Sequence, residues 1–106
     1  MDGYWTYMMA SSSGVLYVGI TGRLVNRVWQ HKFADWPGFT KRYNVKKLVW
    51  CERWPTPEEA IAREKELKGW RREKKVQLLE AANPDWKDLA SDWSLGLPSD
   101  GSEEKL

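Results

Sequence analysis

The sequence predicts a single α+β domain with its elements in the order β-β-α-β-α-α. Three observations carry that prediction. A β-branched and aromatic run, Val15 to Ile20, leads straight into a helical pattern after Thr21. A similar run, Tyr4 to Ala10, precedes it across Ser11-Ser12-Ser13-Gly14, so the first two strands form a hairpin. Further on, Thr56-Pro57-Glu58-Glu59 joins an N-cap residue, a proline at the first helical position and a capping-box glutamate, and so opens a later helix.

The chain of 106 residues suits one core without disulfide staples. Its one cysteine, Cys51, allows no internal disulfide and fits a reducing, cytoplasmic setting. No apolar run is long enough to span a bilayer, and Met1–Thr6 shows no signal-peptide pattern, so a membrane partner is not expected. The net charge of +2 is unevenly spread. Residues 1–80 hold 15 Lys and Arg against 9 Asp and Glu, whereas residues 81–106 hold 2 against 6. A basic body with an acidic tail suits a polyanion-binding surface. Eight tryptophans serve both a core and stacking surfaces.

Within the hairpin, the register depends on the loop. A loop centred on Ser12 sets Tyr7 directly opposite Tyr17 on one face, whereas a four-residue loop sends the two rings to opposite faces. Thr21 has the side chain to cap the following helix, about Arg23 to Phe33. There Leu24, Val25, Val28 and Trp29 share the arc expected to face the core, and Arg27 and His31 lie one turn apart on its flank. Ala34 to Asn44 is a loop with Pro37 and Gly38, and Lys46 to Trp54 is the third strand, apolar at Leu48-Val49-Trp50-Cys51.

Glu64 is the anomaly of the next helix, because it falls between Ile61 and Leu67 on the inward stripe. A carboxylate aimed at a core is costly unless paired or bound to a metal. Either an ion pair with one of the arginines or a metal-ligand role accounts for it. A last helix, Arg71 to Ala82, buries Val76, Leu78 and Leu79, either continuous with its predecessor or broken near Trp70. Asn83-Pro84 ends it. Asp85 to Leu89 packs back through Trp86 and Leu89, and residues 94–106 form an acidic, disordered tail beyond a domain of residues 1–93.

Taken in order, Tyr7, Tyr17-Val18-Gly19, Arg27, His31 and Glu64 resemble the GIY-YIG nuclease family. The first motif is reduced to Trp5-Thr6-Tyr7, keeping its tyrosine, and the second is nearly intact. The surrounding wording, Glu64-Lys65 with Lys68 and Trp70, then Asn83-Pro84 with Trp86 and Leu89, is similar to the family's small stand-alone branch. The likeness covers residues 4–90. It implies a three-stranded antiparallel sheet flanked by helices and a metal-dependent endonuclease that hydrolyses DNA phosphodiesters.

By that resemblance Glu64 holds one Mg2+ or Mn2+ ion and Arg27 binds the scissile phosphate. Tyr7 and Tyr17 line the attack site, one of them orienting or deprotonating the water, and His31 assists the proton transfer. No organic cofactor is implied. The residue types suit the task. A hard cation on a carboxylate polarises phosphoryl oxygen, and guanidinium offers paired planar donors to phosphate. Tyrosine, whose phenol ordinarily titrates at about 10, becomes a base only where cations stabilise the phenolate.

Arg23, Lys41, Arg42, Lys46 and Lys47 are the candidate contacts to the DNA backbone, with Tyr43 and Trp36 able to stack on bases. Asn83 matches a late asparagine of the family pattern. The chain shows no added DNA-binding module, which implies weak sequence preference, with targets in DNA repair or recombination chosen by DNA structure or a partner. On this reading a bacterial version sits on the nucleoid. Ordinary structural roles compete at each position. Two further classes also remain in play, a nucleic-acid-binding module that has lost cleavage and a protein-interaction domain built on the tryptophans.

Overall fold

The computed structural model describes residues 3–33 and 42–93. The loop positions Trp36, Pro37, Gly38 and Lys41, and the tail 94–106, lie outside the described residues. The elements are β1 (Tyr4–Ala10), β2 (Leu16–Thr21), α1 (Leu24–Phe33), β3 (Lys47–Trp54), α2 (Pro57–Lys68) and α3 (Arg72–Ala82). The three strands form one antiparallel sheet in the order β2-β1-β3. The fold is thus the α+β architecture that the sequence predicts.

β1 lies in the centre, and Thr6 to Ala10 are all buried, because helices cover both faces of the sheet. Alternation along the strand sorts its side chains. Tyr7 and Met9 pack with Leu24 and Val28 of α1, and Met8 and Ala10 pack with Leu67 and Leu79 of α2 and α3. A bulge sharpens the division. Met8 pairs with Trp50 but Met9 with Leu48, so Val49 is the extra residue, and Val49 and Trp50 both join the α2–α3 side.

The hairpin register is centred on Ser13, not Ser12. Tyr7 pairs with Gly19, and Tyr17 pairs with Met9. Ser11 fixes the loop by donating its backbone N–H to the Val15 carbonyl at 3.0 Å while its hydroxyl accepts from the Val15 N–H at 3.0 Å. Gly14, at φ +92°, takes the left-handed conformation that closes it. The two tyrosines are therefore diagonal neighbours on one face, not the directly opposed pair that a Ser12-centred loop gives.

Thr21 marks the turn from β2 into α1, its hydroxyl accepting the Arg23 N–H at 2.9 Å. The buried stripe of α1 is Leu24, Val28 and His31, while Val25 is 37% exposed. That corrects the expected arc, which is rotated toward the His31 flank because the Tyr7 side of the sheet accepts the imidazole there. Thr56 caps α2 as expected, accepting from the Glu59 N–H and donating to the Glu59 carboxylate. A break at Gly69-Trp70 separates α2 from α3.

Residues 83–93 close the outer edge of β3. The Leu89 N–H donates to the Leu48 carbonyl at 2.7 Å, and the Asp88 carboxylate accepts the Leu48 N–H while ion-pairing with Lys32. Leu89 itself stays 43% exposed, so the apolar anchors are Ala90 and Trp93 on the α1 side and Trp86 on the α2–α3 side, not Leu89. Among the described residues no helix is long and apolar enough to cross a membrane.

Candidate active site

Four of the five residues picked out for catalysis converge on the α1 face of the sheet. The Tyr7 hydroxyl lies 2.8 Å from Nε2 of His31. The Tyr17 ring is 5.3 Å from the His31 ring and 6.3 Å from that of Tyr7. Arg27, one turn before His31, is within hydrogen-bonding reach of Tyr7 and acts on both its neighbours through its charge. The strand alternation brings the phenols together, and the i, i+4 spacing of α1 delivers the guanidinium and the imidazole.

The electrostatics define the resting state. Burial, followed by the neighbouring Tyr17, pushes the Tyr7 phenol well above its ordinary value, and Arg27 opposes that rise. Burial, followed by the Arg27 charge, pushes His31 down from 6.5 to about 4. At neutral pH both groups are therefore uncharged, and the Tyr7 hydroxyl and Nε2 share a hydrogen bond in which the imidazole tautomer sets the donor. Tyr7 is fully buried and Tyr17 only partly, so Tyr17 stands on the solvent side.

Glycine makes this packing possible. A Cβ built on Gly19 falls 2.6 Å from the Tyr7 hydroxyl and 2.8 Å from the Tyr17 ring. Gly19 is thus a site residue by what it lacks, a role that only the cross-strand pairing with Tyr7 reveals. Cys51 pairs with Tyr7 on the other side, and burial pushes its thiol up, which leaves it a packing group.

Glu64 approaches from α2, across the sheet from α1. Its side chain is 18% exposed and bonds Lys68, one turn on, at 3.0 Å, so its ion-pair partner is a lysine and not an arginine. Its charge still registers on the Tyr7 phenol. Among the described residues no three His, Cys, Asp or Glu side chains group to hold a metal ion. A lone carboxylate does not fit a closed protein cage such as structural zinc needs. It does fit a hard ion that keeps several waters and takes substrate phosphate as a ligand.

The remaining candidates are dispersed. Arg23 is exposed one turn before Arg27 and extends the same basic edge. Arg42 lies over the Tyr43 ring at 5.4 Å, and both are exposed. Lys46 is exposed with its backbone bonded to Ala10, and Lys47 faces away from the phenols, beside the hairpin loop. Asn83 is not available to nucleic acid. It is buried, its amide nitrogen donates to the carbonyls of Val49 and Lys87, and its oxygen accepts the Lys87 N–H. Its work is to fasten the turn after α3.

Comparison with known proteins agrees with this geometry. The GIY-YIG catalytic domain family matches residues 3–77. UPF0213 proteins of Staphylococcus aureus strains Mu3 and Mu50 are each 34% identical over 79 residues, covering 74% of this chain and 96% of theirs. The solution structure of a UPF0213 protein from Bacillus halodurans superposes with a TM-score of 0.51 at 25% identity, covering 86% of this chain and 96% of that one. With its tyrosines, arginine and histidine drawn together on one face of the sheet, the chain belongs to the GIY-YIG family.

Proposed function

We propose that the protein is a metal-dependent endonuclease that hydrolyses DNA phosphodiester bonds at the pocket formed by Tyr7, Tyr17, Arg27 and His31. The observation that carries this reading is the 2.8 Å Tyr7–His31 hydrogen bond, set between a second phenol and a guanidinium. With the neutral imidazole carrying its proton on Nδ1, the phenol can take a proton from water and pass its own to Nε2. Arg27 holds the phosphate and, by its charge, eases formation of the phenolate. Tyr17 borders solvent and orients the attacking water.

Glu64 would hold the divalent ion, Mg2+ or Mn2+, together with substrate phosphate oxygens and water. When bound, that ion supplies positive charge for the phosphoryl oxygens and the leaving alkoxide. The pair with Lys68 competes for the carboxylate. An i, i+4 pair is worth about 0.3–0.5 kcal/mol when exposed, and the Lys68 half of this one stands largely in solvent, so a divalent ion and a phosphate can displace it.

Arg23, Arg42 and Tyr43 would extend contact with the DNA backbone, with little base readout. Repair or recombination substrates chosen by shape or by a partner suit such a surface, in a cytoplasmic or nucleoid setting.

The test is nicking of supercoiled, single-stranded and branched DNA with magnesium or manganese. Glu64→Gln and Arg27→Ala are each expected to reduce cleavage at least a hundredfold while the DNA stays bound at low salt. The Glu64–Lys68 pair favours one other reading, a binder that no longer cuts. DNA retained by the wild-type chain, with no product under any of these conditions, would establish that reading instead.

A further inference from the structure

A shallow cleft of about 300 Å³ opens at the hairpin end of the sheet, on the face opposite the phenols. The serine loop forms one wall, and Lys47, Arg72 and Trp86 form the other. Lys47 pairs with Ala10 in the sheet, three residues of β1 beyond Tyr7, which is about 10 Å along the strand.

The cleft is built for an anion. Among the described residues no acidic side chain lines it. Among the described residues no carboxylate pairs with Lys47 or Arg72, whereas Lys32 and Lys68 each have one and Arg63 has two. Arg72 is exposed and reaches across the cleft toward the serine loop. Its guanidinium lies over the Trp86 ring at 5.9 Å, and one of its terminal nitrogens comes within 3.3 Å of where a Cβ on Gly14 would stand. Glu80 is the nearby acid, and it is engaged by the Trp86 indole N–H at 2.6 Å.

The loop is set. Buried Ser11 braces it through Val15 and through the Ser13 hydroxyl at 2.9 Å, leaving Ser12 and Ser13 exposed at the rim. A planar fork, an ammonium and hydroxyl donors around one concavity match an anion with several oxygens in tetrahedral array. We propose that this cleft binds a phosphate group, independently of the Tyr7 pocket. The same chemistry is offered by a phosphate of a nucleic-acid strand and by a free phosphate or mononucleotide.

The experiment is an amide NMR titration of the full chain in EDTA, with inorganic phosphate, a mononucleotide and a short single-stranded oligonucleotide as separate probes. Saturable shifts at Ser12, Ser13 and Gly14 are expected. Lys47→Gln combined with Arg72→Gln should weaken them at least tenfold, and the dispersion of the same spectra reports whether that variant is folded. Shifts with the oligonucleotide alone assign the phosphate to a strand, and shifts with the small probes assign it to a free ligand. No saturable shift at the loop with any probe, or equal affinity in the folded variant, would overturn the proposal. Because EDTA removes cleavage from the measurement, failure here says nothing against the nuclease reading.

Discussion

At the scale of single residues, Tyr7 and His31 control each other through one hydrogen bond, and Gly19 leaves the space in which they do so. Gly19→Ala forces a methyl group to within 2.6 Å of the Tyr7 hydroxyl, so the rings must move. A loss of about 1–3 kcal/mol is expected from such overpacking, measured by urea unfolding, with nicking activity falling by more than the loss of folded protein accounts for. His31 makes a prediction about pH. Its folded value of about 4 lies below the unfolded 6.5, so the unfolded chain takes up the proton first. The stability it contributes is complete above 6.5 and is lost as pH falls from there toward 4. About 3 kcal/mol is at stake. Unfolding midpoints at pH 7 and pH 4.5 should converge in His31→Gln relative to the wild-type chain.

Single elements carry the next set of consequences. The turn after α3 depends on Asn83, whose amide satisfies three backbone groups, two of them carbonyls. Asn83→Ala should cost about 2–3 kcal/mol, because buried polar groups lose their partners. Affinity for DNA, compared at equal amounts of folded protein, should not change, and a selective loss of affinity would restore Asn83 as a contact. The start of α2 is simpler. Thr56→Ala removes a cap worth about 1 kcal/mol, read as a drop in melting temperature. These two residues contrast in how far the sequence discloses them. The Thr56 cap is local, since its acceptor and donors lie within four positions. Asn83 bonds Val49, which is distant in sequence, so its burial follows only from the closing of the β3 edge.

For the molecule as a whole, the sheet separates two chemistries. One face gathers Tyr7, Tyr17, Arg27 and His31, and the other carries the cleft beside Lys47 and Arg72. Binding of DNA through such dispersed cations should depend on salt. With metal chelated, three duplex phosphate contacts give a loss of roughly 40-fold in affinity between 50 and 200 mM salt. Fluorescence anisotropy measures this, and an affinity that ignores salt would argue against backbone contact.

The sequence by itself determined the order of the elements, the sharing of one helix flank by Arg27 and His31, and the anomalous carboxylate at Glu64. Each of these follows from local periodicity, capping or turn chemistry within a few residues. Only the tertiary structure decided which residues meet across the sheet. The Ser13-centred register set Gly19 under Tyr7, the rotation of α1 buried His31 instead of Val25, and the return of the chain along β3 took Asn83 out of solvent. A shift of one or two residues in pairing costs the local sequence little, yet it changes every neighbour on a face. Those choices are made by the packing of the whole core.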